Sequence, residues 1–123
     1  ANLSNNDAII IDSNNTSDYL TFTIPSVPAG RYNVYVGQKN FPSRGIYQLA
    51  ASVVGGTTYS NIGSPVDEYS ATAQYTEVYV GQWTPGSTSD KWFKFTVTGK
   101  NANSTGTSYN YSIAVDYIRL APF

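Results

Sequence analysis

Apolar and polar positions along this chain recur with a period of two, the spacing of a strand with one buried face. Nowhere do they sustain the 3.6-residue period of a helix. Residues 8–11 (Ala-Ile-Ile-Ile) read as a first strand, stopped by the polar cluster at 12–15. Residues 19–24 alternate, with Leu20, Phe22 and Ile24 on one face and Tyr19, Thr21 and Thr23 on the other. A turn at 25–30 follows, in which Gly30 is free to take positive φ. Residues 31–37 then place Tyr32, Val34 and Val36 inward and Asn33 and Tyr35 outward. A loop at 38–45 leads to a strand at 46–54 with Tyr47, Leu49 and Ala51 on one face, ended by a hairpin-type Gly55-Gly56 turn. A short strand at 59–62 precedes a Gly63-Ser64-Pro65 turn, and residues 77–82 put Val78 and Val80 inward. Pro85-Gly86 opens a loop that ends near Asp90. Residues 91–98 alternate most strongly, with Phe93, Phe95 and Val97 inward and Trp92, Lys94 and Thr96 outward. A polar loop at 99–108 separates them from a last strand at 109–120. About eight strands broken at this spacing predict an all-β fold: a two-sheet antiparallel β-sandwich of the jelly-roll kind, one unit over residues 1–123.

Composition narrows the function. Charged residues are only 12% of the 123, well under the quarter or so common in globular domains, and the net charge is −1. Such a balance offers no field for nucleic acid or an anionic membrane. There is no Cys, Met or His, which removes disulfides, thiol chemistry, the commonest general base and most zinc sites. No run of about 18 apolar residues exists to span a bilayer. No signal peptide is visible, and the missing initial Met suggests a fragment of a longer chain. The eleven Tyr, with two Trp and five Phe amid neutral polar residues, suit hydroxyl-rich neutral ligands; a sandwich rich in Thr, Ser and Tyr would look the same.

Several stretches carry a likeness. Ser17-Asp18-Tyr19-Leu20-Thr21-Phe22-Thr23-Ile24, then Pro28-Ala29-Gly30-Arg31-Tyr32-Asn33-Val34, and the terminal Val115-Asp116-Tyr117-Ile118-Arg119-Leu120 resemble jelly-roll carbohydrate-binding modules of the family 6 and family 35 type. Ile46-Tyr47-Gln48-Leu49, Gly63-Ser64-Pro65-Val66-Asp67 and Phe95-Thr96-Val97-Thr98-Gly99-Lys100-Asn101 look like a subgroup appended to bacterial polysaccharide hydrolases and lyases. The resemblance implies a secreted, extracellular, non-catalytic and monomeric module. Its partners would be a polysaccharide or oligosaccharide and the catalytic domain of a parent enzyme. It also implies a structural calcium, held partly by an acidic opening strand. Here that strand is Ala1-Asn2-Leu3-Ser4-Asn5-Asn6-Asp7, without Glu, while Asp116 matches the usual Asp of the last strand.

The loops at one end of such a sandwich are the first candidate site. Lys39, Phe41 and Arg44 put cations on either side of an aromatic; Arg44 can fork onto a carboxylate or a vicinal diol, and Phe41 can be a platform or pack inward. Asp67 can accept from sugar hydroxyls and Tyr69 can stack, with Tyr75 nearby; alternatively Asp67 or Glu68 pairs with Arg44 to fix the loops. Lys100 and Asn101 sit where this module type places a sugar-bonding Asn, although Asn101 can equally cap a turn. Trp92 is a candidate sheet-face platform beside Tyr35 or Tyr111, or a contact for a neighbouring segment; Trp83, Tyr32, Tyr47 and Tyr117 read as structural.

Catalysis fits poorly. A glycosidase needs two carboxyls facing each other about 5–9.5 Å apart. Neighbouring Asp67 and Glu68 would point to opposite faces of a strand. Asp67 with Glu77 could face each other across a loop, and a Tyr–Arg or Tyr–Lys lyase centre could be assembled from so many Tyr, but nothing singles either out. The expectation is a carbohydrate-binding module that holds a tethered hydrolase or lyase at its polymer. Lys39, Arg44 and Lys100 suit an acidic polymer such as xanthan, and neutral glucans remain open. The alternative is a spacer or protein-interaction sandwich of a secreted enzyme.

Overall fold

In the computed structural model, residues 9–52, 57–106 and 108–123 are described. The strands are β1 (Ile9–Ile11), β2 (Tyr19–Val27), β3 (Tyr32–Asn40), β4 (Gly45–Ser52), β5 (Ser60–Asp67), β6 (Gln74–Trp83), β7 (Ser89–Lys100) and β8 (Ile113–Pro122). They form two antiparallel four-stranded sheets, β1-β8-β3-β6 and β2-β7-β4-β5. Each sheet draws alternately from early and late strands, the winding of a jelly roll. Among the described residues no helix is long and apolar enough to cross a membrane. Ala8, Val53, Val54 and the Gly55-Gly56 turn lie outside the described residues.

Alternation sets the core. Val34, Val36, Tyr47, Leu49, Phe93, Phe95 and Val97 are buried between the sheets, with Leu20, Phe22, Ile24 and Trp83 packed partly against them. Phe95 meets Phe22 and Tyr47 edge-on, at 5.8 and 5.1 Å between ring centres. The inward row of β7 begins with Lys91. It is fully buried, and its ammonium donates to the Ser87 carbonyl at 2.8 Å and the Ser89 hydroxyl at 2.5 Å. A buried cation without such acceptors would be costly.

Two expected turns are strand instead. β2 runs through Pro25 to Val27 across a bulge, and β5 runs through Gly63-Ser64-Pro65 to Asp67. Both are edge strands, where a proline's missing N–H costs no ladder bond. Gly63 has φ 64°, and a Cβ there would overlap the Val80 carbonyl oxygen. A Cβ on Gly81 would in turn press on the Gly63 backbone at 2.9 Å. These glycines let β5 and β6, edges of different sheets, close one side of the sandwich. Gly63→Ala is expected to destabilise the fold by about 3 kcal/mol or more, from overlap added to positive-φ strain. Gly86→Ala, where a Cβ meets nothing within 4 Å, is expected to be near neutral. Urea midpoints check both, and equal midpoints would contradict the packing described.

Candidate functional site

The seven site residues expected from sequence converge at one end of the sandwich. β3 runs on to Asn40, so Lys39 is its penultimate residue, paired with Tyr75 of β6. The chain then turns at 41–44 into β4. Phe41 forms a bridge with Tyr69: its N–H donates to the Glu68 carbonyl at 3.1 Å, and its own carbonyl accepts the Ser70 N–H at 3.3 Å. The loop after β7 joins the same zipper, since the Thr105 N–H donates to the Pro42 carbonyl and the Ser104 hydroxyl to the Arg44 carbonyl, at 2.8 and 2.7 Å. Lys100 ends β7 opposite Gly45, its ammonium 5.9 Å from the Tyr111 ring centre.

Phe41 is 38% exposed, so it is not the inward-packed ring that the sequence also allowed. The Lys39 ammonium lies 5.4 Å from its centroid and 5.3 Å from that of Tyr75, and the Arg44 guanidinium lies 5.4 Å from Phe41. Arg44 itself is buried. Its Nε donates to the Lys39 carbonyl at 3.1 Å and stands 3.9 Å from Glu68 Oε1. The loop-fixing pairing is therefore with Glu68, and little of the Arg44 fork faces solvent.

Asp67 is exposed. Its Oδ1 accepts the Tyr69 N–H at 2.9 Å and its Oδ2 accepts Asn101 Nδ2 at 2.8 Å. Asn101 Oδ1 accepts the Asn103 N–H at 2.8 Å, so the Asn101 amide braces two loops and keeps one N–H beyond the Asp67 bond. Asp67 and Glu77 do not face each other. Glu77 accepts from Arg119 Nη2 at 2.6 Å and from the Tyr117 hydroxyl at 2.7 Å on the outer face of the β1-β8-β3-β6 sheet.

That face was not singled out from sequence. Arg119, Tyr35 and Tyr79 are paired across β8, β3 and β6, with the guanidinium 4.2 Å from the Tyr35 ring centre. In the next row Gly37 lies between Tyr117 and Glu77. A Cβ on Gly37 would strike the Tyr117 ring, so the missing side chain is what lets that ring lie across β3 and reach Glu77. The signal was the outward register of Tyr35, Glu77 and Arg119 on strands that pair. Trp92 is on β7 in the opposite sheet, so it does not stand beside Tyr35. Tyr117, read as structural, is 38% exposed.

Glu68 governs the electrostatics of the loop end. It is fully buried, its Oε1 accepts the Ala114 N–H at 2.8 Å, and its Oε2 has no partner. Burial pushes its carboxyl up to about 8, against the pull of the Ala114 N–H and Arg44. Burial likewise lowers Arg44 and raises the Tyr47 phenol. On the open sheet face, the Arg119 and Tyr117 bonds hold Glu77 down to about 2. Among the described residues no group of three or more His, Cys, Asp or Glu side chains is placed to hold a metal ion, and the opening strand that the family likeness tied to calcium lies outside them.

Over 98% of its length the chain superposes on part of a Paenibacillus xanthan lyase, with a TM-score of 0.82 and 26% identity, spanning 11% of that chain. An alpha-L-fucosidase from Vibrio sp. strain EJY3 shares the fold alone, with a TM-score of 0.50 and 10% identity over 85% of this chain and 20% of that one. No protein-family model and no curated protein matches the chain.

The Glu68 carboxyl supplies a pH test. Unfolded it ionises near 4.5; folded it keeps its proton to about 8. Between those values the unfolded state holds fewer protons, so stability is greatest below the lower value and falls as pH rises towards the upper. Glu77 acts oppositely and in another window, losing its contribution as pH drops from 4.5 towards 2. Glu68→Gln keeps an acceptor for Ala114 and removes the proton. Its thermal midpoint is expected to vary less between pH 5 and 8 than that of the parent; parallel curves would contradict the assignment.

Proposed function

We propose that the chain is a non-catalytic carbohydrate-binding module, of the family 6/35 kind, that holds a tethered polysaccharide-degrading enzyme at its polymer. The observation that carries this is the exposed Phe41 ring, held by backbone bonds on both sides and flanked by Lys39. A fixed aromatic face suits the C–H face of a pyranose, and an adjacent ammonium suits a carboxylate on the same or the next residue. Tyr69 bridges to Phe41 and is braced by Asp67, Lys100 ends β7 opposite Gly45 at the same end, and Asn101 has one amide hydrogen left.

The likeness to a small part of a xanthan lyase supports an acidic polymer as the first ligand to try. A shallow site of this kind binds at about 10⁻⁴–10⁻⁶ M, and its value to the enzyme is effective concentration. The carboxylates argue against catalysis: Glu68 is buried against Arg44, Asp67 is tied to Asn101 and Glu77 to Arg119. A second reading, a spacer or protein-docking sandwich in a secreted enzyme, draws on Ile9 and Ile10, each 49% exposed on edge strand β1.

Affinity electrophoresis in xanthan and in a neutral β-glucan tests the choice. Retardation by xanthan is expected, and Phe41→Ala and Lys39→Ala should each weaken it about tenfold with an unchanged melting temperature. Arg44→Ala is expected to lower the melting temperature as well, because it strips Glu68 of its partner. Full retardation of the Phe41 variant, or no retardation of the parent in either gel, would overturn the proposal.

A further inference from the structure

The far end of the sandwich holds a hollow of different chemistry. About 440 Å³ lies among Thr58 and Ser60 near the start of β5 and Trp83, Thr84, Pro85 and Gly86 at the end of β6. This falls within the range of about 300–1,000 Å³ for small-molecule sites. Among the described residues the lining carries hydroxyls and apolar surface and no charged side chain. That is the reverse of the loop end, where Lys39, Asp67 and Lys100 gather.

Trp83 is the anchor. Its ring is clamped on the core side by Phe93 at 5.2 Å and Tyr32 at 5.9 Å, and the Tyr32 hydroxyl is itself tied to the Pro28 carbonyl at 2.6 Å. Trp83 is only partly buried, and no described residue accepts its indole N–H. An immobilised aromatic with a spare donor, set among hydroxyls, loses little side-chain entropy on binding.

We propose that this hollow binds an uncharged glycosyl residue. A pyranose can lay its C–H face on the part-exposed Trp83 ring and exchange hydrogen bonds with the exposed Thr58, Ser60 and Thr84 and with the indole N–H. A carboxylate is disfavoured, because nothing in the lining would compensate its desolvation. The inference rests on the reading of the chain as a sugar-binding module. It adds a second site at the opposite end, selective for neutral rather than acidic sugar, so that one module could grip two stretches of polymer.

Two variants probe the hollow and leave the loop end alone. Gly86 lines the hollow, its φ lies outside the left-handed region and a Cβ there meets nothing within 4 Å, so Gly86→Leu adds bulk at the wall of the hollow without backbone strain. Thr84→Val removes one hydroxyl at constant shape. The ¹H–¹⁵N spectrum of the chain is titrated with cellotetraose, with mannobiose and, separately, with a xanthan-derived acidic oligosaccharide. At least one neutral sugar is expected to shift Thr58, Ser60, Thr84 and the Trp83 indole N–H saturably. Gly86→Leu should weaken that response at least tenfold and Thr84→Val severalfold, at unchanged melting temperature, while the acidic sugar still shifts Phe41 and Lys39. Neutral sugars that act only at the Phe41 end, or that shift nothing up to about 10 mM while the acidic sugar binds, overturn this inference and leave the proposed function standing. A neutral titration insensitive to Gly86→Leu also overturns it. Silence from every sugar overturns both.

Discussion

The loop end depends on how one buried glutamate is satisfied. Glu68 follows β5, its backbone N–H donates to Gly45 and its carbonyl accepts from Phe41, so it holds the entry of β4 and the β3–β4 turn together. Its carboxyl crosses to Ala114 in the other sheet and lies against Arg44. Two sheets and a turn thus meet on one residue. A charge in that position would be paired imperfectly, since one oxygen has no partner, so the carboxyl keeps its proton well above the ordinary range. Truncating either Glu68 or Arg44 would cost more than the pair contributes, because the survivor would remain buried.

The exposed side chains inherit their placement from that brace. Phe41 cannot turn inward while its N–H and carbonyl are both committed to the 68–70 segment. Lys39 stands beside it because β3 persists to the turn, which sets the ammonium between Phe41 and Tyr75. The stiff strands supply the scaffold, and the loops carry the groups that vary between ligands. At the opposite end Lys91 is satisfied entirely by neutral oxygens, and the described lining of the hollow at Trp83 is uncharged, although Arg31 and Asp90 are exposed at the same end. The loop end therefore gathers charged groups around Phe41, while the hollow at Trp83 is lined by uncharged ones.

Much of this was readable from alternation. The inward rows Val34/Val36, Tyr47/Leu49 and Phe93/Phe95/Val97 are the buried core, since period two leaves no other face for them. Pro25 and Gly63-Ser64-Pro65 looked like turns because local signals cannot tell an edge strand, where proline and a bulge are tolerated, from a chain reversal. At the loop end the sequence marked the residues but not their division of labour. Arg44 and Phe41 both looked like ligand groups, and burial separates them: the cation is consumed by Glu68 and the Lys39 carbonyl, while the ring stays outside. The Tyr35–Tyr79–Arg119 row escaped notice because it requires three strands far apart in sequence to be in register, with Gly37 leaving space for Tyr117.

The account comes down to a preformed, braced end with Phe41 on show. A crystal structure of the chain with a uronate-bearing oligosaccharide tests it most directly. The account predicts a sugar ring stacked on Phe41, its carboxylate within reach of Lys39 or Lys100, and the Glu68–Arg44 and Glu68–Ala114 contacts unmoved. A sugar lying instead on the Tyr35–Tyr79 face, or one that draws Arg44 away from Glu68 to bind it, would contradict it.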